Sequence, residues 1–488
     1  MSLIIVGFII YIIVTFIITY LAYKKAVAGK QSDHQYSQVL VGGRSMHWIV
    51  TALAAHASDM SDWLFMAFPA AIYSGGMPNA WIAIGLVLGM LTTWHWLAPL
   101  LRIKTEHLNA LTLPEYFEYH FNDTTGALRL ASAAICIFFF TVYISAGLTG
   151  MGLLLETLFS IPFALGALVS TLFVVLYTLL GGYVSVAWVD CFQAIFLLCM
   201  IVLVPSLAFF HINGWASIYQ ASIKSKLSLS ILPTSGIALI NAILLAFAWG
   251  AGYWGMPHVL TKFMGIANVK DMKKSQYLGL SWQIIVLTAA TFVGLIGLAY
   301  FPSKLVQKEL IFVQMVRELF NPLVAGIVLS AIISATLSAV NAQVLIVSSS
   351  WTQDIYHKFL AHNSWVTNLR SSSLMIAYRT SVILVCFLAF VLTLYLRSTI
   401  QALVQYAWMG LGSSLGPLVI ASLYQSSIKK TAALWAMVAG CLTASSWSFI
   451  STFIEQSTGI VIPALVPGFL VNLVLLYTLS RNSWYINK

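Results

Sequence analysis

The chain has 488 residues, of which 60% are hydrophobic and only 8% are charged, whereas an average soluble domain has about 25% charged residues. This composition excludes a soluble globular protein and predicts one polytopic membrane domain with no separate enzyme module. The formal net charge of +10 does not indicate nucleic-acid binding, because the lysines and arginines cluster in short segments between apolar runs.

Thirteen apolar runs are long enough to cross a hydrocarbon core about 30 Å thick, which predicts an all-α bundle of thirteen transmembrane helices. The runs are 2–23, 46–74, 79–101, 127–155, 161–180, 187–210, 237–261, 278–301, 322–350, 375–396, 400–424, 431–454 and 461–480. The first run has no basic residue ahead of it, so we interpret it as a retained helix rather than a cleaved signal peptide. The five cysteines lie in or beside these runs without metal-ligand spacing and are interpreted as small core side chains.

Basic residues are distributed unevenly between the two sets of connections. Eighteen of the 24 lysines and arginines lie in alternate connections and their flanks. The opposite set holds only Lys224, Lys226, Lys304, Lys308, Arg317 and Arg397. The positive-inside rule therefore predicts a multi-pass protein of the cytoplasmic (inner) membrane with its N-terminus outside and its C-terminus in the cytoplasm.

Two of the runs are interrupted by residues that a transmembrane helix rarely carries. The second contains Asp59 and Asp62 beside two serines, and the seventh contains the glycine-rich stretch 249–257. An ionised Asp at the bilayer centre costs about 2.5–3.5 kcal/mol, so such a residue indicates a functional site by default. A kinked structural helix is the alternative for either break alone.

The two breaks lie five helices apart, which is typical of an inverted-repeat transporter with its site between the repeats. We expect helices 2–6 (46–210) and helices 7–11 (237–424) to form the repeats, with helix 1 and helices 12–13 (431–480) at the periphery.

Unwound backbone at a helix break offers carbonyl oxygens to a cation, and half-helix N-termini attract anionic groups such as a carboxylate. Hydroxyl and amide oxygens that suit a hard cation lie in the ninth run, at Ser330, Ser334, Thr336, Ser338 and Asn341. Small hydroxyl residues in membrane helices also serve close packing, so no single one of them is assigned as a ligand on this pattern.

Aromatic and charged residues near the breaks leave alternatives open. Trp249 and Tyr253 are four residues apart and share a helical face that could enclose a small apolar ring, although aromatics are also ordinary filler in membrane proteins. Asp190 could bind an exiting cation or act as a helix-dipole partner. Arg44 is either an inner gate residue or a positive-inside anchor, and Glu156 is interpreted as interfacial.

Seven short motifs carry a resemblance that runs nearly from end to end. They are Val41 to Ser45, Ala57 to Ser61, Ala110 to Pro114, Gly181-Gly182 with Trp188 to Gln193, Trp249 to His258, Thr336 to Ser338, and Gly416-Pro417. In these motifs the chain resembles the sodium/solute symporter family, and most closely its sodium/proline symporters. The resemblance implies a LeuT-like five-plus-five inverted repeat and inward transport of a small solute, with Na⁺ as the coupling ion.

The resemblance also implies roles for individual residues. Asp59 matches an essential carboxylate, Ala57 and Met60 supply carbonyl contacts to sodium, and the Ile332 carbonyl and Thr336 hydroxyl face them from the ninth helix. The implied substrate-binding group is Ser61, Tyr143, Trp249, Tyr253 and Pro257. Arg44 and Asp190 fall on cytoplasmic-side positions linked to coupling and ion release.

Three departures from the proline symporters affect the ion and the substrate. Ala335 replaces one of two hydroxyl residues of the ninth helix, and His56 and Asp62 stand where that family has glycines. Met256 stands where a glutamine is expected. We hypothesise that Asp62, with or without His56, compensates for Ala335, either as an extra oxygen for the cation or by taking a proton as coupling ion. The alternative is that both side chains point into a water-filled vestibule.

The sequence predicts a secondary active transporter that is not an enzyme and that imports proline with Na⁺, or with H⁺ in its place. An alternative is the same fold importing another small carboxylate or osmolyte. A non-transporting membrane sensor and a membrane enzyme are alternatives from other classes; the latter is disfavoured because haem-type His pairs and Cys clusters are lacking in the sequence. The expected partners are the solute, the ion and the lipid bilayer, with no nucleic acid and no obligate protein partner.

Overall fold

The computed structural model describes residues 2–27, 42–180, 183–301, 305–360, 371–396, 398–425 and 428–480. Val41, Gly181, Gly182, Lys304 and Arg397, which the sequence analysis used, lie outside the described residues. Across the described ranges the chain is helical, and its single β-bridge joins Met46 to Ile266.

Twenty α-helices follow one another along the described chain. The first ten are α1 (Ser2–Val27), α2 (Trp48–Ala57), α3 (Ala67–Gly75), α4 (Trp81–Thr92), α5 (Ala98–His107), α6 (Leu113–His120), α7 (Ala127–Phe159), α8 (Phe163–Leu180), α9 (Tyr183–His211) and α10 (Trp215–Ser225). The others are α11 (Gly236–Gly252), α12 (Pro257–Met264), α13 (Met272–Tyr300), α14 (Ile311–Leu319), α15 (Pro322–Ser349), α16 (Ser371–Leu396), α17 (Ile400–Tyr424), α18 (Lys430–Ser446), α19 (Ser448–Thr458) and α20 (Leu465–Ser480).

Each of the thirteen predicted spans coincides with a helix or with a broken pair of helices. Within the described ranges, eight continuous helices are long and apolar enough to cross a membrane. The α18–α19 pair, bent by 61°, could form a ninth crossing. The other four predicted spans contain the shorter apolar stretches Leu3–Ile18, Trp48–Ala57, Phe163–Leu179 and Leu465–Ser480.

The two predicted breaks are present, and each has a local cause. The second span stops at Ala57 and resumes at Ala67, with a 3₁₀ turn at Asp62–Leu64 whose N-cap is Ser61. In the seventh span, Met256 is extended (φ −97°, ψ 97°) because the residue before a proline avoids the helical region. Pro257 then begins α12, where its missing N–H leaves no hydrogen bond unmade.

The broken helices are held in the middle of the bundle. In their most apolar stretches, α15 is 83% buried and α17 is 89% buried, whereas α9 and α16 are each only 33% buried. The α2 helix packs against α9 and α13, and α1 packs against α9 and α15. The helices that carry or face the breaks are therefore central, and α9 and α16 lie nearer to the lipid.

Glycines allow the seventh span to approach its neighbours closely. A Cβ at Gly85 in α4 would overlap the Ala246 carbonyl of α11, and a Cβ at Gly89 would overlap Gly250. A Cβ at Gly255 would meet Gly416 and Gly412 of α17. The break in the seventh span is thus packed backbone to backbone between α4 and α17.

One end of the bundle, which we call the basic face, carries Arg44, Arg102 and Arg129. The buried Arg129 guanidinium binds three carboxylates, those of Asp354 (2.7 Å), Glu118 (2.9 Å) and Glu115 (3.2 Å). This network joins α6 and α7 to the π-helical segment that continues α15, Ser350–Leu360. Arg44 donates to the carbonyls of Thr105 (2.8 Å) and Ala110 (2.9 Å), so its side chain is fixed within the protein.

Asp123 prepares the start of α7 at the same face. Its carboxylate accepts hydrogen bonds from the Leu128 amide (2.8 Å) and from the Thr125 hydroxyl (2.6 Å). Partial burial raises the pKa of Asp123, but these hydrogen bonds and Lys430 outweigh it, and the pKa lies below the usual aspartate value. The carboxylate therefore stays ionised at the positive end of the helix dipole.

The contact between α4 and α11 provides a test of the packing. We expect Gly85→Val to lower the free energy of unfolding by about 1–3 kcal/mol, because the added atoms overlap the Ala246 backbone, which cannot move aside without shifting α11. The measurement is thermal unfolding of the purified protein followed by intrinsic fluorescence. Leu88→Val, on the 54% exposed face of the same helix, is the control and should change stability by less than about 0.5 kcal/mol. Equal melting temperatures for the two variants would contradict this packing.

Candidate functional site

The break in the second span leaves backbone carbonyls available. The amides of Asp59 and Met60 both donate to the His56 carbonyl, and the Ser61 amide donates to the Asp59 carbonyl. Among the described residues, the carbonyl oxygens of Ala57 and Met60 accept none of the hydrogen bonds around this break. These are the two carbonyls that the resemblance assigned to sodium.

The predicted ligands of the ninth span lie on α15, which packs against both α2 and the 3₁₀ turn at Asp62–Leu64. The Thr336 hydroxyl donates to the Ile332 carbonyl at 2.8 Å, so these two oxygens are in contact. Both residues and Ala335 are fully buried. On the neighbouring helix α7, Gly147 leaves space that the Thr336 methyl and Val340 occupy.

Asp59 is bound to the other broken helix. The Tyr253 hydroxyl donates to one of its carboxylate oxygens, and the Gln283 amide of α13 donates to the Tyr253 hydroxyl at 3.0 Å. The second Asp59 oxygen has no hydrogen-bond partner in the described structure and lies 4.0 Å from Nε2 of His258. Asp59 therefore links the two breaks directly and keeps one oxygen available.

An aromatic cluster lies beside the two breaks. The ring centroids of Trp63 and Trp249 are 5.1 Å apart, and those of Trp249 and Trp408 are 5.8 Å apart. The Trp408 indole donates to the Trp249 carbonyl at 3.1 Å, which fixes the Trp408 ring. Of the predicted substrate residues, Tyr253 also contacts Trp408, with centroids 4.9 Å apart.

The remaining predicted substrate residues lie at the edges of this cluster. Tyr143 on α7 packs its ring edge-on to His258, 6.2 Å away, and Pro257 begins the helix that carries His258. The Ser61 hydroxyl accepts a hydrogen bond from the Trp63 amide at 3.3 Å. The structure thus places all five around the two breaks, with Ser61 engaged as a cap.

Asp190 lies in a buried polar cluster that joins three spans. One of its oxygens accepts from Ser338 of α15 at 2.6 Å, and the other pairs with Lys262 of α12 at 2.9 Å. Asp190 is therefore more than a helix-dipole partner, because its carboxylate bridges the helix after the seventh-span break to the ninth span.

His56 and Asp62 face different neighbours, although they are six residues apart in one break. The His56 ring lies between Trp94 and Trp282, and its Nε2 accepts a hydrogen bond from the Trp94 indole at 3.3 Å. The Asp62 carboxylate lies against Gly150 of α7. In the described structure their side chains are not in contact, so they do not form a pair.

Two cavities show that the opposite ends of the bundle differ in access. A cavity of about 1060 Å³ opens at the end opposite the basic face, among α3, α7 and the segment before α14. At the basic face, Thr112, Pro257, Thr261 and Ser349 surround only about 10 Å³. Burial raises the pKa of Glu309, which lines the large cavity, and the amides of Gln401 and Ile400 oppose this shift.

Several residues of the site were not singled out from the sequence. They are Trp63, Trp408, His258, Lys262 and Gln283, all of which contact predicted site residues. His258 is the last residue of the motif Trp249 to His258, and Trp63 follows Asp62. Their position next to a break could therefore have identified these two from the sequence. Gln283 and Lys262 carried none, because the partner of a buried polar residue is visible only in three dimensions.

The profile of the sodium:solute symporter family matches residues 39–440. The chain belongs to this family. Its relatives include the osmoregulated proline transporter OpuE of Bacillus subtilis, 35% identical over 95% of this chain and 92% of that protein. They also include a sodium/proline symporter of Staphylococcus aureus, 35% identical over 97% of this chain and 91% of that protein. These relatives of this sodium:solute symporter are transporters, not enzymes.

Solved structures confirm the predicted LeuT-like fold of this family member. A Na⁺-coupled sialic acid symporter in a substrate-bound outward-open state superposes with a TM-score of 0.79 at 14% identity and covers 98% of each chain. Mhp1, a nucleobase-cation-symport-1 family transporter in a closed conformation, superposes with a TM-score of 0.55 at 12% identity over 92% of this chain and 94% of that one.

The bond between Tyr253 and Asp59 provides a test of the site. We expect Tyr253→Phe to raise the Na⁺ concentration for half-maximal transport by about tenfold or more, because a hydrogen bond to a charged group contributes about 1.5–3 kcal/mol and orients the carboxylate. The measurement is initial uptake rate against Na⁺ concentration in proteoliposomes. Tyr277→Phe, on the exposed surface of α13, should match the unaltered protein. If Tyr253→Phe leaves the Na⁺ dependence unchanged, orientation of Asp59 by Tyr253 does not contribute to sodium-dependent transport.

Proposed function

We propose that this protein is a secondary active symporter that imports L-proline on a sodium gradient. Two observations support this assignment. The carbonyls of Ala57 and Met60 at the helix break accept no hydrogen bond in the described structure. The chain is also 35% identical over nearly its whole length to two transporters whose names specify proline, and the name of the second also specifies sodium.

The sodium ion binds between the second and ninth spans. Its ligands are the Ala57 and Met60 carbonyls on one side and the Ile332 carbonyl with the Thr336 hydroxyl on the other, with Asp59 providing negative charge. Such hard oxygen donors suit a small alkali cation. Ala335 leaves one fewer hydroxyl than the proline symporters have, so we expect weaker sodium binding than two hydroxyls would give.

The solute binds beside the ion, against the two breaks. Trp249 and Tyr253 enclose the apolar ring of proline, Tyr143 and Pro257 close its other side, and Ser61 presents a polar contact. The start of α12 has no side-chain cap, so its positive dipole end favours the solute carboxylate. The aromatic side chains thus suit the apolar ring of proline, and the helix terminus suits its carboxylate.

Alternating access moves the repeats, 46–210 and 237–424, about this site. We assign the basic face to the cytoplasm of the inner membrane, with the N-terminus outside and the C-terminus inside. The large cavity then opens outward and the Arg129 network closes the inner side. Arg44 and Asp190 act on that inner side, in closure and in ion release.

Transport into proteoliposomes tests the function as a whole. Radiolabelled proline should accumulate when a Na⁺ gradient is imposed and should not accumulate when it is absent. Accumulation under a H⁺ gradient alone would replace sodium as the coupling ion. If no gradient drives proline, uptake of other small carboxylates and osmolytes decides between a different solute, which Met256 in place of glutamine favours, and a sensor without transport.

A second experiment addresses the ion ligands alone. We expect Thr336→Val to raise the half-saturating Na⁺ concentration by about tenfold or more, because it removes one oxygen from the ion while keeping the side-chain shape. Thr336→Ser should stay close to the unaltered protein. Thr380→Val is the matched control, because its hydroxyl also binds a carbonyl four residues back but faces outward from α16. Equal sodium dependence in Thr336→Val and the control would exclude Thr336 as a ligand.

A further inference from the structure

The Asp62 carboxylate is the least satisfied charged group at the broken second span. It is fully buried, and neither of its oxygens has a hydrogen-bond partner in the described structure. The Ser61 hydroxyl and the amides of Trp63 and Asp62 act on this carboxylate, but none of them meets the geometry of a hydrogen bond with it. A buried carboxylate without partners is costly unless a positive group approaches it.

The surroundings of Asp62 are shaped to admit this side chain. A Cβ at Gly150 on α7 would overlap one of its carboxylate oxygens, so only glycine leaves the space it occupies. The Asp62 carbonyl accepts from the amides of Phe65 (3.0 Å) and Met66 (2.8 Å), which anchors the residue at the start of its 3₁₀ turn. Backbone and neighbouring helix therefore hold the carboxylate in one place.

Asp62 lies close to the proposed sodium site but does not belong to it. Gly147 of α7 contacts Thr336, and Gly150, three residues further along the same helix, contacts Asp62. Three residues correspond to a rise of about 4.5 Å along an α-helix. Asp62 is thus displaced by less than one helical turn from Thr336, toward the cavity that opens opposite the basic face.

That cavity ends near Asp62. It reaches α7 at Thr149, the residue before Gly150, and its charged lining residues are Glu156, Glu309 and Lys308. Two carboxylates against one ammonium give this lining a net negative charge, and Glu309 acts electrostatically on Asp62 itself. Negative potential in a cavity with low-dielectric walls concentrates cations.

We propose that Asp62 is the carboxylate of a second cationic subsite, one step outward from the proposed sodium site and next to the solute. It binds a monovalent cationic group, which is either a second sodium ion or the ammonium group of the solute. Asp59 then serves the first ion while Asp62 serves this one. The inference rests on the proposed symport function and adds to it a cationic group bound by Asp62.

Direct binding to the purified full-length protein separates the two sources. We would measure ²²Na⁺ bound per protein, the affinity for radiolabelled proline, and competition by cyclopentanecarboxylate, which keeps the ring and carboxylate of proline but lacks the amine. The variants are Asp62→Asn, which keeps the shape and removes the charge, and Asp62→Gly, which restores the residue of the proline symporters. Asp271→Asn, a carboxylate on the basic face paired with Lys274, is the control for removing one acidic residue.

If the subsite holds sodium, Asp62→Asn should lower bound ²²Na⁺ from two ions per protein to one and abolish cooperativity in the sodium dependence. If it holds the solute ammonium, bound sodium should stay constant, the proline affinity should fall by about tenfold or more, and competition by cyclopentanecarboxylate should not change. Asp62→Gly should behave like Asp62→Asn and decides the matter if the asparagine variant does not fold.

The proposal is overturned if both variants bind sodium and proline like the Asp271→Asn control. It is also overturned if the variants change only the response of uptake to an imposed H⁺ gradient. Failure of the proposed function looks different, because the unaltered protein would then take up no proline under any gradient while its sodium binding could still be counted.

Discussion

Within a bilayer, a backbone carbonyl that leaves its helix has no water to bind, so the protein or a bound ion has to supply the partner. At the break in the second span, the His56 carbonyl takes two amides while the Ala57 and Met60 carbonyls take none in the described structure. If the interruption only bent the helix, these two oxygens would be expected to accept hydrogen bonds from other groups of the protein. The proposed sodium site, completed by the Ile332 and Thr336 oxygens of α15, would supply that partner.

The second constraint is the connection between the two breaks. Asp59 accepts a hydrogen bond from Tyr253, which in turn accepts one from Gln283 of α13. A cation that draws the Asp59 carboxylate toward the Ala57 and Met60 carbonyls therefore also acts on the seventh span, where the solute contacts lie. Ion and solute can influence each other through one hydrogen bond, which is a physical basis for coupling that needs no long pathway.

Much of this arrangement followed from the sequence, because membrane burial makes the pattern simple. Each of the thirteen apolar runs coincides with a helix or a broken pair, although only eight continuous helices of the described chain are long and apolar enough to cross a membrane. The residues Asp59 and Pro257 located the breaks. The sequence could not give the partner of each buried polar group. Lys262 was counted among basic residues of the connections, yet it pairs with Asp190 inside the protein. The sequence left open whether His56 acts with Asp62, and the structure turns their side chains toward different helices because the chain bends at the break.

The closed basic face is built largely from charge, which suits a barrier that has to open. Arg129 is shared by three carboxylates, and Asp190 joins Lys262 to Ser338. Desolvation offsets most of the attraction in buried ion pairs, so their net contribution to stability is small and separating them into water costs little. Interdigitated apolar side chains would instead lose their full burial energy on opening. A closure of the basic face made of Arg129 and its carboxylates can thus have a fixed geometry and still be close in free energy to the opened state, which alternating access requires.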